Sequence, residues 1–464
     1  MNAARLAERA VAAARGDALA HVAHERSLML RFADNRPTQA TAVDDATVEI
    51  AVVRDGHVGR ASTNDNSDEA LRECARRAEA AADAAAATSP PGPHPGFAAP
   101  LASNGRDQGA PGAGAASPRG HDPATAMLDP AVGGAALRAA FLVAEHAGLA
   151  AHGIWSAAEE VRAVATSSGS AALDRTTDAF MKVICIAPDG RSGYASSTAV
   201  AAGLLDPERL AERAAAKAAV RGEPAELAPG EYTVVMEANA VGWLLDLLGV
   251  TALNGLAHAE GRGALAGRLG EVVAAPSINL ADSPRSGASL PRGFDAEGTP
   301  KCPMPLIEDG VARAVVHDRR SATLAGTEST GHATAPGGDP HGPHPVNLVL
   351  AGGGASGLDE LCAPVERGVY VTRLWYANVV RPKETLITAV TRDGTFLIED
   401  GRVTRPLRDL RLTDSVLGIL ARVGALSAGQ ELTSDGEFYG RRFAYGVVCP
   451  AVRASTVRFT GAAG

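Results

Sequence analysis

From Leu290 to Gly331 the chain reads LPRGFDAEGTPKCPMPLIEDGVARAVVHDRRSATLAGTESTG, and this stretch indicates how its second half folds. An apolar run from Leu306 to Val311 is interrupted by the pair Asp309-Gly310. Both residues of an Asp-Gly pair tolerate the positive φ angles that a tight two-residue hairpin requires. The stretch therefore predicts a strand-rich module built around a hairpin at Asp309-Gly310.

Asp-Gly pairs predict further hairpins outward from this module, at Asp55-Gly56, Asp189-Gly190, Asp393-Gly394 and Asp400-Gly401. Apolar residues have helical spacing at residues 3–15, 67–87, 130–150, 205–221 and 238–253. Helix, hairpin, helix thus occurs twice before residue 229, which predicts an α+β fold whose N-terminal half places helices on an antiparallel sheet. The C-terminal half is expected to be β-rich and barrel- or sandwich-like, with one helix at residues 414–423.

The length of the chain implies several domains, because 464 residues exceed what one hydrophobic core usually serves. We expect an N-terminal α+β unit at residues 1–88, a second α+β unit at 127–228 and a β-rich domain at 229–464. Residues 89–126 are rich in Pro, Gly, Ala and Ser, which bury too little apolar surface to offset the entropy of ordering them. This segment is predicted to be a disordered excursion.

Composition narrows the class of protein. A net charge of −9 and the lack of a Lys/Arg cluster argue against nucleic acid as a partner. No apolar run reaches membrane-spanning length and the N-terminus lacks the pattern of a signal peptide, so no membrane association is expected. Five scattered cysteines without C-x-x-C spacing predict reduced, mostly buried thiols. A cytoplasmic protein is the simplest interpretation.

A glycine-rich loop from Gly352 to Gly357 matches the G-x-G-x-x-G pattern of dinucleotide-binding turns. Such a site also needs an acidic residue about 20 positions further on to hold the ribose. The segment from Val369 to Arg381 contains no Asp or Glu. A close approach of two backbones at these glycines is therefore the preferred interpretation, and a nucleotide-binding protein is an alternative.

A second group of candidate residues is the set of histidines that follows residue 331. His332, His341 and His344, together with Asp339, supply the imidazole and carboxylate groups that bind zinc in many proteins. The surrounding Pro and Gly residues provide no helix or strand to fix the geometry of such ligands. Solvated loop histidines are the favoured interpretation, and an autonomous metallopeptidase that uses them is an alternative.

Four segments are long enough to point to a family. Phe294 to Pro300 reads FDAEGTP, Gly368 to Val371 reads GVYV, Trp375 to Asn378 reads WYAN, and Thr391 to Gly401 reads TRDGTFLIEDG. In these segments the chain resembles the TldD/TldE (PmbA) peptidase family, and its TldE (PmbA) branch in particular. The resemblance covers nearly the whole chain apart from residues 89–126.

The resemblance implies a subunit of a TldD–TldE heterodimeric zinc peptidase that acts on unfolded or modified peptides. TldD-type chains carry His-Glu-x-x-x-His on a helix, where two imidazoles bind zinc and the glutamate activates water. The corresponding helix here reads WLLDLLGVT, and Asp246, Leu247 and Thr251 occupy the three positions. Leucine accepts no proton and threonine is a poor zinc ligand. The resemblance therefore implies a pseudoenzyme subunit without catalytic residues or metal of its own, and zinc in a TldD-like partner.

A non-catalytic subunit of such a complex would help to enclose a chamber and hold the peptide. Exposed strand edges hold extended peptides with little demand on their sequence. We expect such edges at residues 294–300 and 368–378. The candidate peptide-binding or interface residues are Phe294, Asp295, Glu297, Gly298, Tyr370, Trp375 and Asn378.

Overall fold

The computed structural model describes residues 1–97, 120–434 and 442–462. Its N-terminal half is a six-stranded antiparallel sheet in the order β3-β2-β1-β4-β5-β6. The strands are β1 Asp17–Ala33, β2 Arg36–Arg54, β3 His57–Thr63, β4 Ala150–Thr166, β5 Ala171–Ile186 and β6 Ser192–Ala199. β1 and β4 pair at the centre of the sheet, so residues far apart in sequence meet there.

The helices of this half are α1 Ala3–Ala12, α2 Asp68–Thr88, α3 Pro123–Ala126, α4 Pro130–His146 and α5 Pro207–Ala218. Helices α1, α2, α4 and α5 pack on one face of the sheet, where even-numbered residues of β1 such as Ala18, Val22 and Phe32 contact them. Because side chains alternate across a strand, Leu19 and His21 lie on the opposite face. The C-terminal half covers that second face, as the packing of Leu19 near Phe294 shows.

The N-terminal half is built from two copies of one arrangement. The order α1-β1-β2-β3-α2 repeats as α4-β4-β5-β6-α5, which confirms the helix–hairpin–helix pattern predicted from the sequence. The side chains of Ser67, Asp129 and Asp206 cap α2, α4 and α5 by accepting a backbone N–H of the first turn. Local capping residues therefore set where these helices begin.

Each copy brings its third strand into backbone contact with its last helix. A Cβ added to Gly59 of β3 would lie 2.1 Å from the carbonyl oxygen of Ala78 in α2. A Cβ added to Gly193 of β6 would likewise lie 2.1 Å from the carbonyl oxygen of Ala214 in α5. Glycine on the strand and alanine on the helix thus allow a closer approach than larger side chains permit.

The C-terminal half combines strands and helices with long irregular stretches, such as residues 283–303 and 326–347. Its strands are β7 Gly230–Met236, β8 Leu280–Asp282, β9 Met304–Glu308, β10 Val311–Ala312, β11 Leu348–Leu350, β12 Arg367–Arg381, β13 Leu386–Glu399, β14 Arg402–Pro406, β15 Leu410–Ser415, β16 Val423–Thr433 and β17 Val447–Ala462. Its helices are α6 Ala238–Thr251, α7 Gly255–Ala259, α8 Arg319–Ala325, α9 Leu358–Cys362 and α10 Val416–Ala421. Across both halves, none of the helices in the described residues has the length and apolar character needed to cross a membrane.

Five of these strands close into a ring. β7 pairs in parallel with β12, and β12, β13, β15 and β17 pair antiparallel in turn before β17 returns to β7. The predicted α+β fold is thus confirmed, and the C-terminal half is barrel-like. Helix α6 packs against β12, β16 and β17, and Leu244, Leu245 and Leu248 on it belong to the largest hydrophobic core.

Two expectations for the C-terminal half are wrong. Asp393-Gly394 does not close a hairpin but lies inside β13, where φ angles of 51° and 125° accompany a shift in the pairing with β12. An Asp-Gly pair supplies positive φ, and a β-bulge uses that property as readily as a turn does. The stretch 290–331 is not strand-rich either. Its regular elements are the short β9 and β10 and helix α8, although the hairpin at Asp309-Gly310 is confirmed.

The excursion expected at residues 89–126 is ordered at both of its described ends, while residues 98–119 lie outside the described part of the chain. Phe97 is fully buried in a cluster with Leu19 and Val164. On the other side, Asp122 caps helix α3. The expectation is wrong for these ends because single apolar and capping residues anchor a segment that is otherwise poor in apolar side chains.

We predict that Gly193→Ala lowers the free energy of unfolding by about 1–3 kcal/mol, because the new methyl group overlaps the backbone of α5. Urea unfolding followed by circular dichroism measures the change. Gly134→Ala in α4 is the matched control, since nothing lies within 4 Å of its added Cβ. Alanine should stabilise that helix by up to about 1 kcal/mol. Equal stabilities of the two variants would contradict the close contact.

Candidate functional site

The N-terminal sheet and the C-terminal half meet at a cleft of about 360 Å³, measured with its open mouth. His21 of β1 and Arg162 of β4 reach the cleft from the sheet. The C-terminal half contributes five residues between 292 and 301, six residues between 331 and 346, and Phe443. The cleft therefore combines charged, aromatic and apolar side chains that only the meeting of the two halves brings together.

One wall of the cleft contains His344, which connects the cleft to helix α6. Its Nε2 lies 3.1 Å from Oδ1 of Asp246. Gly249 makes room for the imidazole, because a Cβ there would lie 2.6 Å from Cε1 of His344. The imidazole also packs edge-on against Tyr445, with 6.0 Å between ring centroids. Helix α6, which the resemblance aligns with a metal-binding helix, thus borders the cleft through the Asp246–His344 pair.

The three positions on α6 do not offer a zinc-binding set. Leu247 is buried in the core, and the hydroxyl of the buried Thr251 donates to the carbonyl oxygen of Leu247 at 2.8 Å. Asp246 is bonded to a single histidine. Within residues 1–97, 120–434 and 442–462, no three His, Cys, Asp or Glu side chains are grouped so that they could hold a metal ion. A zinc ion does not fit the side chains present on this helix.

The histidines that follow residue 331 do not converge on one point. His332 is buried beside Asp282, with 3.2 Å between Nε2 and Oδ1. His341 is exposed, and its backbone N–H donates to Asp339 at 2.8 Å. His344 faces α6 instead. The residues required by the autonomous metallopeptidase alternative are therefore distributed over three different environments.

A buried ion pair lies at the back of the cleft. Nζ of Lys301 is 3.3 Å from Oδ1 of Asp282, and the two side chains are 1% and 0% exposed. Burial alone would raise the pKa of Asp282, but Lys301 and His332 hold that pKa well below its usual range. Lys301 also donates to the carbonyl oxygen of Gly331 at 3.2 Å. The ion pair thus fixes the segment that contains His332.

Asp295 organises the loop that resembles the family most closely. Its carboxylate accepts three backbone N–H groups at 2.9 Å, two from within the loop and one from Ala333. Gly298, at a φ of 75°, closes the loop against Val164 of β4. Residues 294–300 are therefore not the exposed strand edge that we expected. The carboxylate of Asp295 already accepts the backbone N–H groups that would otherwise pair with an added strand.

Glu297 is fully buried and bonded to the N-terminal half. Its Oε1 lies 3.1 Å from Nε2 of His94, and its Oε2 accepts the backbone N–H of Arg319 at 3.0 Å. Burial raises the pKa of Glu297 to about 8 and lowers the pKa of His94 to about 4. At neutral pH the two side chains form a neutral hydrogen-bonded pair. This pair ties residues 89–97 to the C-terminal half.

Tyr370 belongs to a buried cluster at the start of α6. Its hydroxyl donates to Glu237 at 2.6 Å, and Nζ of Lys217 in α5 lies 2.7 Å from the same carboxylate. Beside it, β12 is paired with both β7 and β13 as far as Val371. Tyr370 therefore joins α5 to the C-terminal half and does not line an open edge.

Beyond Val371, β12 pairs only with β13 among the described strands. Trp375 and Tyr376 pack edge to face there, with 5.3 Å between ring centroids, and Tyr376 is 71% exposed. Asn378 is exposed and donates to the carbonyl oxygen of Tyr376 at 2.9 Å. The expected open edge is thus present at residues 375–381, whereas residues 368–371 are paired on both sides and residues 372–374 are buried.

The glycine-rich loop packs against β16. A Cβ at Gly352 would lie 2.6 Å from the carbonyl oxygen of Ala428, and one at Gly353 would lie 2.6 Å from that of Leu426. This is the close approach of backbones that we preferred from the sequence. Helix α9 after the loop has only five residues. The nucleotide alternative therefore lacks the long helix whose N-terminus would face a phosphate.

Sequence reasoning missed the arginines of the cleft. The guanidinium carbons of Arg162 and Arg292 lie 4.7 and 4.5 Å from the centre of the Phe443 ring. No spacing rule marks either arginine, because their neighbours come from distant parts of the chain. One signal was present: Arg292 and Lys301 flank the FDAEGTP segment, and Lys301 is one of four lysines in the protein.

Models of three domains of one family match the chain. The PmbA/TldA metallopeptidase C-terminal domain matches residues 229–461, domain 1 matches 22–82 and the central domain matches 133–221. A metalloprotease of Methanothermobacter thermautotrophicus is 29% identical over 190 residues, 39% of this chain and 41% of that protein. A metalloprotease TldD homolog of Haemophilus influenzae is 26% identical over 215 residues, 45% of this chain and 42% of that protein.

The chain thus spans about two-fifths of the length of the curated relatives it matches. Among solved structures, TldE from Thermococcus kodakarensis superposes with a TM-score of 0.81 over 98% of this chain and 99% of that chain. The sequence identity in that superposition is 22%. This likeness shows that the two chains share a fold.

We predict that the protein loses stability between pH 7 and pH 8 through Glu297. Its pKa is about 8 when folded against 4.5 when unfolded, so its contribution is full below pH 4.5 and is lost as the pH rises through 8. In between, folding takes up one proton, which lowers the free energy of unfolding by roughly 1 kcal/mol per pH unit. Glu297→Gln keeps the shape of the side chain and should remove this share of the slope.

Urea unfolding at pH 7, 8 and 9 measures the slope. Glu308→Gln is the matched control, because Glu308 is 50% exposed and pairs with Arg313 on the surface. Its pH profile should follow that of the wild type. Parallel profiles for the wild type and Glu297→Gln would mean that Glu297 is ionised in the folded protein, contrary to the neutral pair.

Proposed function

Because the chain belongs to the PmbA/TldA metallopeptidase family, we propose that it is the TldE-type, metal-free subunit of a heterodimeric peptidase. Its partner is a TldD-like subunit that contributes zinc and the hydrolytic residues. The complex acts on unfolded or modified peptides in the cytoplasm. There the five cysteines, unpaired and four of them buried, remain reduced.

The observation that carries this proposal is the chemistry of α6. Where TldD-type chains place two zinc-binding histidines and a water-activating glutamate, this helix has Asp246, Leu247 and Thr251. Two of these side chains are buried in the core, and the third is engaged by His344. Neither a leucine nor a core threonine binds zinc or accepts a proton from water. The chain therefore retains the helix without the means to hydrolyse a peptide bond there.

The residues of this subunit support a role in holding peptide. The open edge of β12 at residues 375–381 offers backbone donors and acceptors to an extended chain. Tyr376 and Trp375 add aromatic surface beside that edge, where large apolar side chains contribute most to binding. The edge and the cleft are the two surfaces through which the subunit takes part in peptide binding.

We predict that the isolated protein contains no stoichiometric zinc and hydrolyses no peptide. Its complex with the TldD-like subunit of its host should contain zinc and cleave peptides. Co-expression, size-exclusion chromatography, metal analysis by mass spectrometry and a peptide-cleavage assay test this. Replacing the zinc-binding histidines of the partner should abolish cleavage, while Asp246→Ala in this chain should leave the zinc content unchanged. Zinc on the isolated chain together with peptide cleavage would contradict the proposal.

The autonomous alternative is tested with two further variants. His341→Ala and His344→Ala should leave the metal content of the isolated protein at the wild-type level, because neither imidazole belongs to a group of three metal-binding side chains in the described residues. Inductively coupled plasma mass spectrometry of the purified proteins measures that content. A loss of bound metal in either variant would favour the autonomous metallopeptidase.

A further inference from the structure

We propose that the cleft between the two halves binds the C-terminal carboxylate of a peptide, with Arg292 as the residue that receives it. The inference rests on the proposed function, because it names the class of peptide that this subunit holds. That class is a peptide with a free α-carboxyl end.

Arg292 is buried, lines the cleft and lacks an acidic partner. Arg292 is only 7% exposed and is one of the residues that line the cleft. Nη2 donates to the carbonyl oxygen of Ala444, but Nε and Nη1 have no hydrogen-bond partner in the described residues. Leaving a buried charge uncompensated costs several kcal/mol. A guanidinium with two unpaired, solvent-shielded donors in a residue that lines a cleft is therefore suited to an anion that enters the cleft and supplies the missing partner.

The carboxylates around this guanidinium are each engaged elsewhere. Asp178 forms a buried ion pair with Arg442. Glu160 lies 2.7 Å from Nη2 of Arg162. Asp174 accepts, at 2.8 Å, the backbone N–H of the residue that follows Arg292. These acids lessen the local positive potential, but within the described residues none of them occupies the two free donors.

A second guanidinium adds to the site. Arg162 and Arg292 lie over the same aromatic ring, that of Phe443, and Nε of Arg162 is also buried without a partner. Burial and the neighbouring Arg162 lower the pKa of Arg292 to about 9, so the side chain is still protonated at neutral pH. An anion bound here offsets the repulsion between the two charges and satisfies the free donors.

The shape and lining of the cleft favour a peptide carboxylate. Parallel N–H donors of a guanidinium match the two oxygens of a carboxylate. Phe294, Val346 and Ala333 place apolar surface beside the charge, where the side chain of a terminal residue would lie.

The test uses the full-length chain, alone and in complex with its TldD-like subunit. Isothermal titration calorimetry compares an N-acetylated tripeptide that has a free carboxyl end with the same tripeptide as a C-terminal amide. We expect the amide to bind at least about tenfold more weakly. Arg292→Gln should reduce the affinity for the free acid to that for the amide. The comparison of acid and amide on the wild type remains decisive even if the variant does not fold.

Arg268→Gln is the matched control, because Arg268 is 43% exposed and pairs with Glu271 on the surface. It should bind the free acid as the wild type does. Inorganic phosphate and an amidated tripeptide that ends in glutamate represent other sources of negative charge. Either of them binding as tightly as the free acid would overturn the assignment to a C-terminal carboxylate. Equal affinity for acid and amide, or no binding of the acid at millimolar concentration, would overturn it as well.

Co-elution with the TldD-like subunit is scored on the same samples, so that the two proposals fail separately. Arg292→Gln should still co-elute with the partner, because Arg292 is only 7% exposed and offers little surface to another subunit. Co-elution without any preference for the free acid would overturn the carboxylate site alone. Preference for the free acid without a partner or peptidase activity would overturn the proposed function alone.

Discussion

The burial of helix α6 is the constraint on which the C-terminal half depends. Leu244, Leu245 and Leu248 on this helix fill the core inside the ring of strands, so the helix is accessible only along a narrow stripe. At helical spacing, that stripe contains Asp246 and Val250. The same packing buries Leu247 and Thr251, so these two side chains do not line the cleft.

The cleft depends in turn on the duplicated N-terminal sheet. Because the helices of both copies cover one face, the other face is free to receive the C-terminal half. His21 and Arg162 stand on the two central strands, one from each copy, and the pairing of β1 with β4 brings them together. Neither copy alone would provide both side chains. The site is therefore a product of the whole assembly of elements.

Buried polar pairs hold this junction. Glu297 is matched by His94, and Lys217 is matched by Glu237, so each polar group that loses water gains a partner. Arg292 differs from these pairs, since two of its donors have no partner within the described residues, and the same is true of Nε of Arg162 beside it. Both guanidinium groups belong to residues that line the cleft, so these incompletely bonded charges lie beside the space that a ligand would occupy.

The sequence by itself determined the features that depend on residues close together in the chain. Hairpins at Asp55-Gly56 and Asp309-Gly310, the capped helices and the duplicated order of elements all follow from local conformational preferences. The long segments that resemble a family also pointed to the fold. Only the tertiary structure decided that Asp393-Gly394 forms a bulge, that the buried Glu297 is bonded to a histidine 203 residues away, and that two donors of Arg292 have no partner within the described residues. The physical reason is that an Asp-Gly pair has the same conformational preference in a turn and in a bulge, and a charged side chain is the same group whether it is exposed or buried. Packing against distant parts of the chain selects between these outcomes.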